Sequence, residues 1–241
     1  MSETPADPGA RGVGLGPSAF APSVAPHVQS VDTAEWERVY VVGDVHGCLD
    51  RLEALLDRLD LAADDLLVFV GDLVRKGPDS RAVLELVRDS PNMLSVRGNN
   101  EQKFLDGSKS NPEIDPLVGD IRELPAAIAL DGDLVVHGGV DPRRPLAEHS
   151  VADLLTTRSV PPGNGYDGPF WFDRYEGPPR VFFGHTVLEE PVVTGWAVGL
   201  DTGCVYGGEL TAYDYRADRL VAVPGTEHES RPDRKFLDLE Y

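Results

Sequence analysis

From Arg38 onward the chain alternates short apolar runs with segments whose apolar residues recur at helical spacing. Val39-Tyr40-Val41-Val42 is a β-branched and aromatic run ending at Gly43-Asp44, the pattern of a buried strand that opens into a loop. Leu49, Leu52, Leu55, Leu56 and Leu59 then share one helical face, and Leu66 to Val70 is again continuously apolar, which makes a β-α-β unit. The alternation continues with a helix expected over about Ser80 to Arg88 and a strand over Met93 to Val96. Beyond a loop-rich stretch near Asn111 to Pro116, Ala127 to Leu130 and Leu134 to Val136 flank Asp131-Gly132-Asp133, a hairpin signal. A Pro- and Gly-rich segment from Pro161 to Pro179 precedes further strand-like runs at Arg180 to Phe183, Val192 to Leu200, Leu210 to Tyr215 and Leu220 to Val223. Helix-connected strands in the first half and hairpins in the second predict a mixed α/β sandwich, without a fixed-period repeat.

Composition places this pattern in a frame. Residues 1–35 are rich in Pro, Gly, Ala and Ser and are expected to be a disordered N-terminal tail, lacking the basic start and apolar run of a signal peptide. Residues 36–224 read as the catalytic domain and 225–241 as a C-terminal extension. Charges interrupt every apolar segment before it reaches the roughly 20 residues of a membrane span, so no membrane association is expected. The net charge of −19 repels nucleic-acid backbones and anionic membranes, which excludes duplex nucleic acid as a partner. Only four lysines, Lys76, Lys103, Lys109 and Lys235, stand among 41 acidic residues, a balance that also fits a protein of a salt-accumulating, halophilic cell. Cys48 and Cys204 build neither a disulfide framework nor a zinc knuckle, which fits a reducing cytoplasmic setting.

The polar residues that matter collect at the strand ends. Asp44 with His46, then Asp72, Asn99, His137 and His185 each lie within a residue or two of a glycine, where the backbone can turn tightly and a ligand can come close. Carboxylate, imidazole and amide oxygen together suit manganese, iron, zinc and similar divalent ions, whereas thiolates and an all-oxygen calcium cage are absent from the set. A carboxylate can bridge two such ions, and two ions about 3.5 to 4 Å apart activate water and clamp the phosphoryl oxygens of an in-line displacement.

Gly43-Asp44-Val45-His46-Gly47, Gly71-Asp72-Leu73-Val74, Arg97-Gly98-Asn99-Asn100-Glu101, His137-Gly138-Gly139 and Gly184-His185-Thr186, in this order, resemble the calcineurin-like metallophosphoesterases. The resemblance spans about residues 38–223 and is to the branch of serine/threonine protein phosphatases and diadenosine tetraphosphatases. It implies a four-layer α/β/β/α sandwich with mixed sheets and two divalent ions, manganese first, with iron, zinc, nickel or cobalt as alternatives. By family position Asp44, His46 and Asp72 would hold the first ion, and Asp72, Asn99, His137 and His185 the second, so Asp72 is the expected bridge. Lys76 and Arg174 match phosphate-binding positions by order, and Asp201-Thr202-Gly203-Cys204-Val205-Tyr206 resembles a late segment that would bring Tyr206 to the substrate. Arg143 and Arg144 are lesser loop candidates, while His27, His149 and His228 stand in polar or tail contexts.

One departure bears on mechanism. The family's general-acid His is Asn100 in this chain, and the Asp-Arg pair of its second motif is Arg75-Lys76, so acid and orienting carboxylate are replaced together. Asp72 and Asn100 remain the catalytic positions. A leaving group stable as an anion needs little protonation, so the sequence leans to a phosphorylated small molecule of the nucleotide-polyphosphate type, as in symmetrical diadenosine tetraphosphatases. The alternatives are a serine/threonine phosphoprotein phosphatase and a weakly catalytic metal- and phosphate-binding regulatory module.

Overall fold

Four consecutive apolar side chains cannot all face water, and the computed structural model, which describes residues 14–231 and 236–239, buries each such run as an inner strand. In chain order β1 (Val28–Val31) is followed by β2 (Val39–Val42), α1 (Leu49–Leu59), β3 (Leu66–Phe69), α2 (Ser80–Asp89), β4 (Met93–Ser95), α3 (Asn99–Leu105) and α4 (Val118–Glu123). Next come β5 (Ala127–Leu130), β6 (Asp133–Val136), α5 (Val151–Thr156), β7 (Val181–Phe183), β8 (Val192–Val193), β9 (Ala197–Gly199), β10 (Glu209–Asp214) and β11 (Arg219–Pro224). The strands form two mixed sheets, one in the order β11-β10-β2-β3-β4 and one in the order β1-β5-β6-β7-β9-β8. β2, β3 and β4 run parallel, as do β6, β7 and β9, so their carboxyl ends gather along one edge of each sheet.

The period-two alternation of a strand sorts its side chains into layers. Val39, Val41, Leu66 and Val68 of the first sheet meet Ile128, Leu130, Val135 and Phe182 of the second in a core between the sheets. The alternate residues, Tyr40, Val42, Leu67 and Phe69, face outward onto Leu52 and Leu55 of α1 and Val83 and Leu84 of α2. Leu134, Val136, Val181 and Phe183 face the other way, onto Leu154 and Leu155 of α5 and onto Trp171 and Phe172. The result is the expected α/β/β/α sandwich. Among the described residues no helix is long and apolar enough to cross a membrane.

The segment expected as a tail over 1–35 differs from residue 14 on; residues 1–13 lie outside the described residues. Phe20 and Val24 are buried in the second sheet's outer core, and β1 pairs in parallel with β5 from Val28↔Ala127 to Val31↔Leu130. Val28-Gln29-Ser30-Val31 is too short and too polar to read as a strand alone; backbone pairing to an open sheet edge makes it one. The expected extension 225–241 likewise folds back where it is described, with Gly225 N–H on the Gly208 carbonyl at 2.6 Å and Leu237 bridging to Leu188. Residues 232–235 and 240–241 lie outside the described residues.

Trp171 anchors the outer layer of the second sheet. It is fully buried, its ring centroid is 4.8 Å from Phe183 and 5.6 Å from Tyr175, and its indole N–H donates to the Gly138 carbonyl at 3.1 Å. Trp171→Ala is expected to cost about 3–5 kcal/mol of unfolding free energy, read from the urea midpoint at unchanged slope. An unchanged midpoint would show that the layer does not depend on this ring.

Candidate metal centre

Each predicted ligand leaves the carboxyl end of a strand. Asp44 and His46 follow β2, Asp72 follows β3, Asn99 opens α3 after β4, His137 follows β6 and His185 follows β7. Three of the six stand in left-handed backbone, His46 at φ 52°, Asp72 at φ 51° and His185 at φ 64°, a conformation that costs a non-glycine residue about 1–3 kcal/mol and gathers at functional sites. Two glycines give the carboxylates room. A Cβ at Gly98 would lie 2.1 Å from Asp72 Oδ1, and one at Gly184 would lie 2.0 Å from Asp44 Oδ1.

The six side chains converge with their acceptor atoms inward. His137 Nδ1 lies 2.8 Å from the Val70 carbonyl, which only an N–H can satisfy, so Nδ1 carries the proton and Nε2 presents a lone pair. That Nε2 faces Asp72 Oδ1 at 3.3 Å and Asn99 Oδ1 at 3.0 Å, and His185 Nδ1 reaches the same Asn99 oxygen at 2.9 Å. On the other side of Asp72, His46 turns Nδ1 to the Val74 carbonyl at 3.3 Å and Nε2 toward Asp44 Oδ2 at 3.8 Å and Asp72 Oδ2 at 3.7 Å. One ligand atom from each of Asp44, Asp72 and His137 falls within 4.8 Å of the others. The His137 Nε2 lone pair facing the Asp72 and Asn99 oxygens is repelled by them unless a cation lies between, and the donor set fits divalent ions.

Burial sets the electrostatics. It pushes the Asp44 carboxyl well up, helped by the like charges of Asp201 and Asp72. It holds the His46 imidazole down to about 3, helped by the Lys76 ammonium, and depresses His185 likewise, helped by Arg158. For Asp72 burial acts upward, but His137, His46 and Lys76 outweigh it and keep the carboxylate ionised. A neutral imidazole at His46 and His185 beside an ionised Asp72 is the protonation state that metal ligation requires of such groups.

Asn100 and Glu101 hold this arrangement rather than enter it. Asn100 donates its backbone N–H to Asp72 Oδ1 at 2.8 Å and its side-chain amide to Asp72 Oδ2. Its Oδ1 accepts from Arg75 and, at 3.2 Å, from Lys103. Glu101, fully buried, accepts the backbone N–H groups of Asp72 at 2.9 Å, Val74 at 3.0 Å and Gly98 at 2.8 Å, tying the second and third motifs together. Its burial and the nearby Asp72 charge push its carboxyl up to about 7, against the pull of those three donors.

The ligands open onto a cavity of about 320 Å³ that is also lined by Lys76, Tyr206, Arg158, Tyr166 and Asp201. Lys76 Nζ lies 2.5 Å from His46 Nε2 and 5.0 Å over the Tyr206 ring, and both residues line the cavity. Arg174 does not. It is exposed and absent from the cavity wall, and Arg158 faces the cavity instead, donating to the His185 carbonyl at 2.9 Å and stacked 4.2 Å over Tyr166. No sequence signal singled out Arg158, because the Pro- and Gly-rich stretch after it obscures the spacing. Asp201 was legible only as part of a segment. Arg143 and Arg144 are both engaged by Asp141, and His149 is a buried acceptor for the Asp141 N–H at 2.8 Å. Cys48 and Cys204 are free and buried.

Comparison with known proteins adds independent information. The calcineurin-like phosphoesterase model matches residues 37–225. An asymmetrical bis(5'-nucleosyl)-tetraphosphatase PrpE of Bacillus velezensis is 27% identical over 227 residues, which cover 76% of this chain and 91% of the relative. A symmetrical bis(5'-nucleosyl)-tetraphosphatase of a Janthinobacterium species is 27% identical over 267 residues, covering 79% of this chain and 97% of the relative. Among solved structures, a crystal structure of a putative diadenosine tetraphosphatase superposes with a TM-score of 0.71 at 31% identity over 83% of this chain and 99% of its own.

Removing the Glu101 carboxylate would orphan three buried N–H groups at once. Glu101→Ala is expected to cost about 3 kcal/mol of stability in urea unfolding. A loss below about 0.5 kcal/mol would mean that the two loops keep register without it.

Proposed function

On the premise that this chain belongs to the calcineurin-like phosphoesterase family, as the match over residues 37–225 shows, we propose that its substrate is a nucleoside polyphosphate cleaved at a phosphoanhydride bond. The chain is a metal-dependent hydrolase of phosphoester or phosphoanhydride bonds; the substrate class, the ligand assignment and the metal are our reading. Asp44, His46 and Asp72 would hold one ion and Asp72, Asn99, His137 and His185 the other. The converging acceptors on the two sides of Asp72 support this assignment. Manganese is the ion we favour, for a mixed imidazole, carboxylate and amide set. When bound, two divalent ions supply charge neutralisation at the phosphoryl group and an activated water.

The chain's own residues do the rest. Lys76 and Arg158 face the cavity as cations that neutralise phosphate oxygens, and Tyr166 and Tyr206 give its walls aromatic surface suited to the rest of a nucleotide. Asn100, tied to Asp72 and to Arg75, orients the bridge and cannot donate a proton to a leaving alkoxide. This observation carries the choice of anhydride over phosphoserine, since a phosphate leaving group needs no general acid. The relatives named as tetraphosphatases support the same class. Two free buried thiols are compatible with a cytoplasmic, reducing setting, and the acidic surface is a reason to assay in molar KCl.

Purified protein with Mn²⁺ and molar KCl is expected to release phosphate from para-nitrophenyl phosphate, to lose that activity with chelator, and to cleave diadenosine tetraphosphate; no metal-dependent turnover of either would overturn the reading. Product analysis gives two ADP for symmetrical cleavage and ATP with AMP for asymmetrical cleavage. Asp72→Asn should lower metal content and reduce turnover at least 10³-fold, and a fully active variant would refute the bridging role. Restoring the acid with its carboxylate partner, Arg75→Asp with Asn100→His, should raise turnover of alkyl phosphates about 10²-fold and leave anhydride cleavage within a few-fold. Equal gains on both substrate types would remove the leaving-group argument.

A further inference from the structure

The distribution of positive charge is the least expected feature of this chain. Only four lysines serve the whole sequence, yet Lys76, Lys103 and Lys109 line two adjoining cavities, together with Arg75 and, on the metal side, Arg158. The second cavity, about 200 Å³, shares Arg75 and Lys76 with the metal cavity and continues away from it along Phe104, Lys109, Ser110 and Asn111. Glu113 is the single carboxylate among its lining side chains. Elsewhere several arginines are neutralised locally, as in Arg38 with Asp65, Arg88 with Asp120, Arg143 with Asp141 and Arg219 with Asp214, whereas others, such as Arg58, Arg97 and Arg122, stand singly rather than gathered around one cavity. Among the described residues, none of Arg75, Lys76, Lys103, Lys109 and Arg158 makes an ion pair within 4.0 Å. In a chain of net charge −19, a second cavity whose lining sets Arg75, Lys76 and Lys109 against one carboxylate is suited to an anion.

Arg75, Lys76, Lys103 and Arg158 line the metal cavity where a phosphoryl group would sit, whereas Lys109 lines the second cavity only. We infer that this second cavity is a subsite for the distal phosphates of a substrate with at least three linked phosphates, with Lys109 as its outer cation. The inference rests on the phosphohydrolase reading above and extends it. Arg75 and Lys76 both belong to the walls of the two cavities, so a chain that leaves the metal side past them stays in contact with positive charge throughout. Arg75, which stands where the family has the carboxylate of its acid pair, thereby acquires a task that a carboxylate would oppose. The loop beyond begins with Lys109 N–H on the Lys103 carbonyl at 2.9 Å, which holds the two lysines as neighbours, and it is fixed by Asp115, which accepts from the Ser110 hydroxyl at 2.6 Å and the Asn111 N–H at 3.0 Å.

Lys109 is exposed, so its replacement leaves the core intact. With Mn²⁺ held constant, Lys109→Glu is expected to raise KM for adenosine 5'-tetraphosphate about tenfold while KM for para-nitrophenyl phosphate stays within twofold, and Lys109→Arg should behave as the unaltered chain. The subsite is overturned if Lys109→Glu leaves KM for the tetraphosphate unchanged or raises KM equally for both substrates. It is equally overturned if Lys109→Arg loses as much as Lys109→Glu, since charge would then not be the cause. Should the unaltered protein turn over neither substrate, the phosphohydrolase reading fails separately. Binding of adenosine 5'-tetraphosphate in equilibrium dialysis then decides the subsite: a tenfold loss of affinity in Lys109→Glu upholds it, and equal affinity overturns it.

Discussion

The structure is organised around a carboxylate that is kept ionised in a place where an isolated charge is costly. Asp72 is 2% exposed, sits at the end of an inner strand in left-handed backbone, and is approached by two imidazoles and a neighbouring aspartate. Every constraint nearby serves its position. Glycine at 98 leaves space for its oxygens, Asn100 hydrogen-bonds both of them, and Glu101 fixes the two loops that carry Asp72 and Asn99. The desolvation that this burial imposes is opposed by the neighbouring imidazoles, by the Lys76 ammonium and by the N–H donors of Asn100, which the sandwich gathers where its two sheets meet.

The parts of this design legible in the sequence are those that local rules determine. A strand of apolar residues running into a glycine-flanked Asp, Asn or His announces both burial and a polar loop, and all six predicted ligand positions fall at such ends. Helix α1 and the β5–β6 hairpin follow from spacing and from Asp131-Gly132 in the same way. What escaped depends on contacts distant in sequence. β1 becomes a strand only because β5 offers an open edge, and Phe20 and Val24 become core only because that strand brings them there. Arg158 reaches the cavity just beyond the end of α5, before a Pro- and Gly-rich excursion whose geometry no periodicity encodes, whereas Arg174, within that excursion, is exposed and outside the cavity lining.

The substitutions that set this chain apart form a consistent set. An acid His and its carboxylate partner would supply a proton donor; here Arg75 and Lys103 donate to the Asn100 amide oxygen, and Asn100 in turn donates to Asp72. The exchange trades proton donation for positive charge. Such a site is suited to substrates that are strongly anionic and leave as stable anions, and it gives up those that need help in leaving.

The pairing of β1 with β5 has a consequence for the behaviour of the molecule in concentrated solution. Without β1 the second sheet would present β5 as a bare edge of four apolar residues, Ala127 to Leu130, with its backbone donors and acceptors free to recruit a strand from another molecule. The half-polar strand Val28-Gln29-Ser30-Val31 covers that edge and leaves an outer rim poorly suited to further pairing. A segment that contributes nothing to the chemistry thus protects the sheet from edge-to-edge association, a safeguard of particular value where high ionic strength has screened the mutual repulsion of a strongly acidic surface.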